Sequence, residues 1–162
     1  MVMRIVSRRL VCCVIVVIAW LLAPSVAISA TFTAASCSLT NVQECVNGTG
    51  VCSGLANGDT INIPAGACTW NGTLTIDGSK FFTLAGPGVS ALTITDGIDR
   101  TSGGQKFLII FIPKVGGLAR ITGFTIDGAS GSDCCGGSLI VNGGDTRSST
   151  WRIDNMKFLG KR

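Results

Sequence analysis

Apolar and polar positions change places every few residues along most of this chain, and one stretch breaks the habit. Positions 10–23 are apolar without interruption, behind Arg4, Arg8 and Arg9. Pro24 ends the run, and Ser25-Val26-Ala27 then offers small residues where a signal peptidase reads. Basic, apolar and small, in that order, is the pattern of a secretory signal. The 14 apolar residues fall short of the ~20 that span a bilayer. The expectation is a removable signal over residues 1–27, cut after Ala27, with no stable membrane span left afterwards. Cleavage after Ala30 is the alternative cut, and an uncleaved anchor the alternative fate. Ser7-Arg8-Arg9 loosely resembles a twin-arginine signal, but so apolar a run favours the general secretory route.

Beyond the signal, β-branched and aromatic residues recur in short alternating segments separated by Gly, Asp-Gly or Asn-Gly. Such side chains suit a pleated strand, and glycine supplies the positive φ of tight corners. Strands are expected at 60–63, 73–76, 81–84, 92–95, 107–112, 120–126, 139–141 and 151–158. One helix is expected ahead of them. Thr40-Asn41-Val42-Gln43 fits a capping box, with Thr40 as N-cap and Gln43 reaching back. Val42, Cys45 and Val46 then share one face, and Gly48 ends the helix. A short amphipathic helix there would cover the open edge of a strand stack.

Two segments align without gaps, 32 positions apart: Arg120-Ile121-Thr122-Gly123-Phe124-Thr125-Ile126-Asp127-Gly128 and Arg152-Ile153-Asp154-Asn155-Met156-Lys157-Phe158-Leu159-Gly160. Their middle residues, Gly123 and Asn155, belong to the types that most readily take a left-handed backbone. Each segment therefore reads as strand, sharp corner, strand. A corner that returns after 32 residues is what one turn of a coiled parallel sheet gives. The predicted fold is all-β: a right-handed single-stranded parallel β-helix of about four coils with a short N-terminal capping α-helix. An antiparallel β-sandwich is the alternative, because Asn57-Gly58, Asn71-Gly72 and Asn142-Gly143 are hairpin-turn signals. The expected domains are the signal (1–27), an N-terminal segment with the capping helix (28–48) and the coils (49–162).

Composition narrows the chemistry. The 162 residues carry 13 Lys and Arg against 9 Asp and Glu, but three of the arginines lie in the signal. The mature chain is nearly neutral, which removes the electrostatic case for nucleic acid. With His 0 and Tyr 0, neither a Ser–His nor a Cys–His nucleophile pair is available, nor a His-ligated zinc. Cys12 and Cys13 leave with the signal. Cys37, Cys45, Cys52, Cys68, Cys134 and Cys135 remain, and an even number in an exported chain reads as disulfides. Sequence does not choose among the pairings, although four cysteines within 37–68 place the staples at the N-terminal end. Asn47-Gly48-Thr49 and Asn71-Gly72-Thr73 are glycosylation sequons only on a eukaryotic secretory route. All 22 glycines fall between Gly48 and Gly160, well above the usual ~7%. Gly86-Pro87-Gly88-Val89-Ser90-Ala91 matches a dinucleotide fingerprint, but a strand is expected after it where the fingerprint needs a helix.

Asn57-Gly58-Asp59-Thr60-Ile61-Asn62-Ile63-Pro64-Ala65-Gly66, followed by Cys68-Thr69-Trp70, resembles the opening coil of the pectate-lyase-like right-handed β-helix superfamily. Thr83-Leu84-Ala85-Gly86-Pro87-Gly88 is similar to the next strand-and-turn element, and Ile121–Gly128 to an ordinary coil. The resemblance covers about 36–160 and specifies a fold better than an activity. It implies elimination or hydrolysis of acidic polysaccharides, or a non-catalytic adhesin. The lyases of that superfamily use an Arg base and carboxylates that hold Ca²⁺, so Ca²⁺ is the one cofactor implied, and only by resemblance. Arg120 and Arg152, with Asp127 and Asp154 nearby, are the candidate positions; solvated strand-edge charges are the plainer reading of them. The hydrolases carry paired Asp residues and a Gly-His-Gly element, which Asp96 and Asp99 in a chain without His do not match. No catalytic, cofactor or metal residue is carried over. Trp70 and Trp151 are read as packing residues rather than sugar platforms.

The resulting expectation is a secreted protein, extracellular or periplasmic, of the polysaccharide-processing type, represented by its non-catalytic opening coils. A non-enzymatic surface or adhesion solenoid is the alternative. Acidic polysaccharide or a cell-surface glycan is the expected partner. Because no C-terminal cap is visible before Lys161-Arg162, further coils or an oligomer are expected to cover that end.

Overall fold

The computed structural model describes residues 29–101, 105–128, 136–141 and 149–160. The expected signal with its Ala27 cut, Cys134, Cys135 and the Asn142-Gly143 turn signal lie outside the described residues. Among the described residues twelve strands and one α-helix follow in order. They are β1 (Thr31–Thr33), α1 (Leu39–Val46), β2 (Thr60–Asn62), β3 (Gly66–Trp70), β4 (Leu74–Ile76), β5 (Thr83–Ala85) and β6 (Leu92–Asp96). Then come β7 (Lys106–Phe111), β8 (Leu118–Thr122), β9 (Thr125–Asp127), β10 (Gly136–Val141), β11 (Thr150–Asp154) and β12 (Lys157–Leu159).

The strands form three parallel sheets, ordered β1-β2-β5-β8-β11, β3-β6-β9-β12 and β4-β7-β10. From β2 onward the chain visits the sheets in strict rotation, so each circuit lays one new strand on every sheet. All nine pairings among the described residues are parallel, which overturns the antiparallel alternative. Asn71-Gly72 is a corner between β3 and β4, in different sheets, and not a hairpin. Parallel pairing needs a crossover back to the same sheet, and the other two sheets supply it.

Register turns this path into a core. Phe32, Ile61, Leu84, Ile121 and Ile153 lie over one another in the first sheet. Cys68, Ile94, Ile126 and Phe158 do so in the second, and Ile76, Phe111 and Val141 in the third. The middle members of these columns are wholly buried. The last rung is not: Trp151 and Phe158 are 46% and 51% exposed, although their partners Ala119 and Ile126 are buried.

The corner shared by the two aligned segments is as the repeat predicts. Gly123 has φ 81° and Asn155 φ 49°, and Gly123 N–H donates to the Asn155 carbonyl at 3.1 Å. Gly86 stacks on the other side, its N–H reaching the Thr122 carbonyl at 2.8 Å. A Cβ on Gly123 would press into the Gly86 carbonyl oxygen. Two strands were not expected: β1, and β3, whose start at Gly66 follows Pro64-Ala65 and reads as turn. Pairing with β6 overrides that local preference.

At the leading end α1 buries Val42, Cys45 and Val46, the predicted face. Its cap differs from the prediction. Ser38 is the N-cap, in an extended conformation, and accepts from Asn41 N–H, which leaves Thr40 inside the first turn. Gln43 is thereby free to act elsewhere: its amide accepts from Thr75 N–H at 2.9 Å and donates to Thr75 C=O at 3.0 Å. That is the pair of bonds another strand would make, placed on the free edge of β4. Disulfides Cys37–Cys68 and Cys45–Cys52 fix the helix to β3 and to the turn that follows it. Among the described residues no helix is long and apolar enough to cross a membrane.

Two outcomes follow for stability, both measured by urea denaturation. Gly123→Ala is expected to cost at least ~2 kcal/mol, because strained φ and a backbone clash add, while Asn155→Gly changes stability by under ~1 kcal/mol. Replacing both Cys37 and Cys68 by Ala, which opens a separation of 31 residues, is expected to cost ~2–4 kcal/mol. Opening Cys45–Cys52, separated by 7, costs less.

Candidate functional site

Of the four charged residues singled out in the sequence, the structure joins three. β8 and β11 pair in register, so Arg120 and Arg152 continue an outer column that begins with Thr31, Thr60 and Thr83. Asp154 stands two residues beyond Arg152, on the same face of the sheet. Arg120 Nε and Nη2 each donate to one Asp154 oxygen at 2.8 Å, a fork-to-fork pair. Arg152 Nε lies 2.7 Å from Asp154 Oδ2. Asp127 is elsewhere, in β9, in register with Thr95 and Leu159.

The electrostatics follow from this geometry. Hydrogen bonds from Arg120 hold the Asp154 carboxyl at about 2, below its ordinary 3.8; burial opposes the shift, and the Thr122 hydroxyl and both guanidinium charges add to it. The same contact raises Arg120. A carboxylate so engaged is a weak base near neutral pH. With two cations and one anion the cluster is net positive, and Arg152, its side chain 64% exposed, is the part that faces solvent. The cluster can therefore present a guanidinium to an anionic group at the surface.

The other carboxylates noted in the sequence do not form a reactive pair. Asp96 and Arg100 are both buried and bound to each other, with Arg100 Nη2 at 2.7 Å and Nη1 at 3.2 Å from the Asp96 oxygens. Arg100 Nε also donates to the Lys106 carbonyl at 3.0 Å, so the pair clasps the passage from β6 to β7. Asp99 is exposed and accepts from the Thr101 N–H at 2.8 Å and hydroxyl at 2.6 Å. The Asp96–Arg100 partnership was missed in the sequence because spacing of four signals contact only on a helix, and here it spans a turn.

Trp70 is fully buried and donates Nε1–H to the Cys37 carbonyl at 2.9 Å, the packing role expected of it. Trp151 stands over Ala119 on the exposed last rung. After Gly86-Pro87-Gly88 the chain enters strand β6, so the fingerprint has no helix to open. Among the described residues no group of three or more His, Cys, Asp or Glu is placed to hold a metal ion. No protein-family model, curated protein or solved structure matches the chain.

The depressed Asp154 value sets a pH dependence. The folded state favours the charged form, so this contribution to stability is complete above the ordinary value of 3.8 and is lost as pH falls towards 2. Wild type is expected to lose thermal stability steeply across that window. Asp154→Asn should melt lower at pH 6 and follow a shallower acid slope, with Asp77 and Asp99, also lowered, supplying the remainder. Melting temperature against pH for the two proteins checks it.

Proposed function

We propose that this chain is the opening, non-catalytic part of an exported right-handed parallel β-helix of the pectate-lyase-like, polysaccharide-processing type. The observation that carries the reading is the strict rotation of the chain through three in-register parallel sheets behind a disulfide-fastened helix. Parallel strands joined by crossovers in one sheet are right-handed in nearly every protein, because strand twist allows the crossover to pack back only that way. Export rests on the basic, apolar and small-residue pattern over residues 1–27, and the two disulfides suit an oxidising compartment, extracellular or periplasmic.

The non-catalytic character rests on the state of the candidate charges. Asp154 is neutralised by Arg120 and Arg152, and Asp96 by Arg100. Among the described residues β10, β11 and β12 are edge strands, and the inward columns end there on half-buried Val141 and Ile153 and on exposed Phe158.

The test uses the exported, oxidised chain with polygalacturonate and Ca²⁺, following absorbance of the unsaturated elimination product. Retention on immobilised polygalacturonate without product formation is expected, and Arg152→Ala should weaken that retention several-fold. Clear turnover would overturn the non-catalytic assignment. Equal retention on a neutral polysaccharide would favour the surface or adhesion protein instead.

A further inference from the structure

Three Asn-Gly steps fall among the described residues, Asn47-Gly48, Asn57-Gly58 and Asn71-Gly72, and all three asparagines are exposed. In such a step the glycine backbone amide can attack the side-chain carbonyl before it, because no Cβ stands in the way. The fold treats the three differently. Gly48 N–H donates to the Cys45 carbonyl at 2.9 Å, and Asn47 Oδ1 accepts from Gln43 Nε2 at 2.9 Å. Gly58 N–H donates to the Phe81 carbonyl at 2.8 Å, and Asn57 Oδ1 accepts from Phe81 N–H at 3.1 Å. In both steps the attacking nitrogen and the carbonyl it would attack are already held, the first by α1 and the second by the approach to β5.

Asn71-Gly72 has neither restraint. Among the described residues, Gly72 N–H and the Asn71 side-chain amide make no hydrogen bond. The step lies at the corner between β3 and β4, outside any ladder. Asn71 Oδ1 rests over Gly97, where a Cβ would collide with it. That contact is packing against a residue without a side chain, and no donor fixes the oxygen.

We propose that Asn71 is a modification site at which the folded chain deamidates. The Gly72 nitrogen attacks Asn71 Cγ, a new C–N bond closes a cyclic imide, and the side-chain nitrogen leaves as ammonia with the proton of the Gly72 amide. Water then opens the ring at either carbonyl, leaving aspartate or isoaspartate at position 71. Either product puts a carboxylate at the corner. Isoaspartate also adds a backbone carbon beside Gly72, which faces Leu39 of α1 so closely that its own Cβ would lie 3.1 Å from Leu39 Cδ2. The change therefore falls directly beneath the capping helix.

The experiment incubates the oxidised full chain, made in a bacterial host that leaves the sequons bare, at mildly alkaline pH. Mass spectrometry follows each Asn-Gly peptide over time, and the same chain reduced and unfolded in urea is the comparison. In the folded chain Asn71 is expected to convert at least about tenfold faster than Asn47 or Asn57, since two hydrogen bonds must open first at each of those. In urea that advantage should vanish. A folded-state rate at Asn71 no greater than at Asn47 or Asn57 would overturn the proposal. The same advantage in urea would overturn it too, because the selectivity would then belong to the local sequence and not to the fold.

Discussion

The close backbone contact among Gly86, Gly123 and Asn155 is the constraint on which the remaining architecture depends. Parallel ladders tolerate slippage badly, since a shift of one residue exchanges the inward and outward faces of a strand. Here a slip would travel, because one strand leads into the next sheet. The corner blocks it by steric means: Gly123 lies so near the Gly86 carbonyl that only a residue without Cβ fits, and its left-handed φ turns the chain from β8 into β9. One circuit later Asn155 takes the same turn at an exposed position. Alignment of Ile121 with Ile153, and of Ile126 with Phe158, then follows from the corner as much as from the strands.

A stack built this way has two ends, and each presents apolar side chains together with unpaired backbone. The leading end is dealt with by chemistry of three kinds. α1 covers the core with Val42 and Val46, the Gln43 amide imitates a strand at Thr75, and two disulfides reduce the freedom of the unfolded segment. Among the described residues the trailing rung has no such cover, and Phe158 is half exposed in register with a fully buried Ile126.

How far the sequence discloses this depends on the range of the cause. The corner was legible at Gly123 and Asn155 because left-handed backbone is a property of single residue types, and the 32-residue offset is the register seen in the β8–β11 pairing. The helix face was legible from periodicity. Its cap was not, since Ser38 and Thr40 are both acceptable capping residues and the choice is made when Gln43 bonds to β4, 32 positions away. β3 was hidden behind Pro64-Ala65-Gly66 for a similar reason: its strand character comes from β6. Of the candidate site, the stacking of Arg120 and Arg152 could be read, but the position of Asp154 between them could not. Spacing of two in a strand places residues on one face without saying which neighbour they bind.

Charge is not spread evenly along the stack, and its gradient bears on where a ligand would be met. The outer column of the first sheet runs Thr31, Thr60, Thr83, Arg120, Arg152, from hydroxyl to guanidinium as it leaves the helix-covered end. Beside it, Asn62, Ala85 and Thr122 lead to Asp154. The rungs nearest the helix therefore offer hydrogen bonds and no net charge on this face, whereas the last two offer a net cation. An anionic chain lying along the sheet would gain nothing electrostatic from the first rungs and would be drawn to the last.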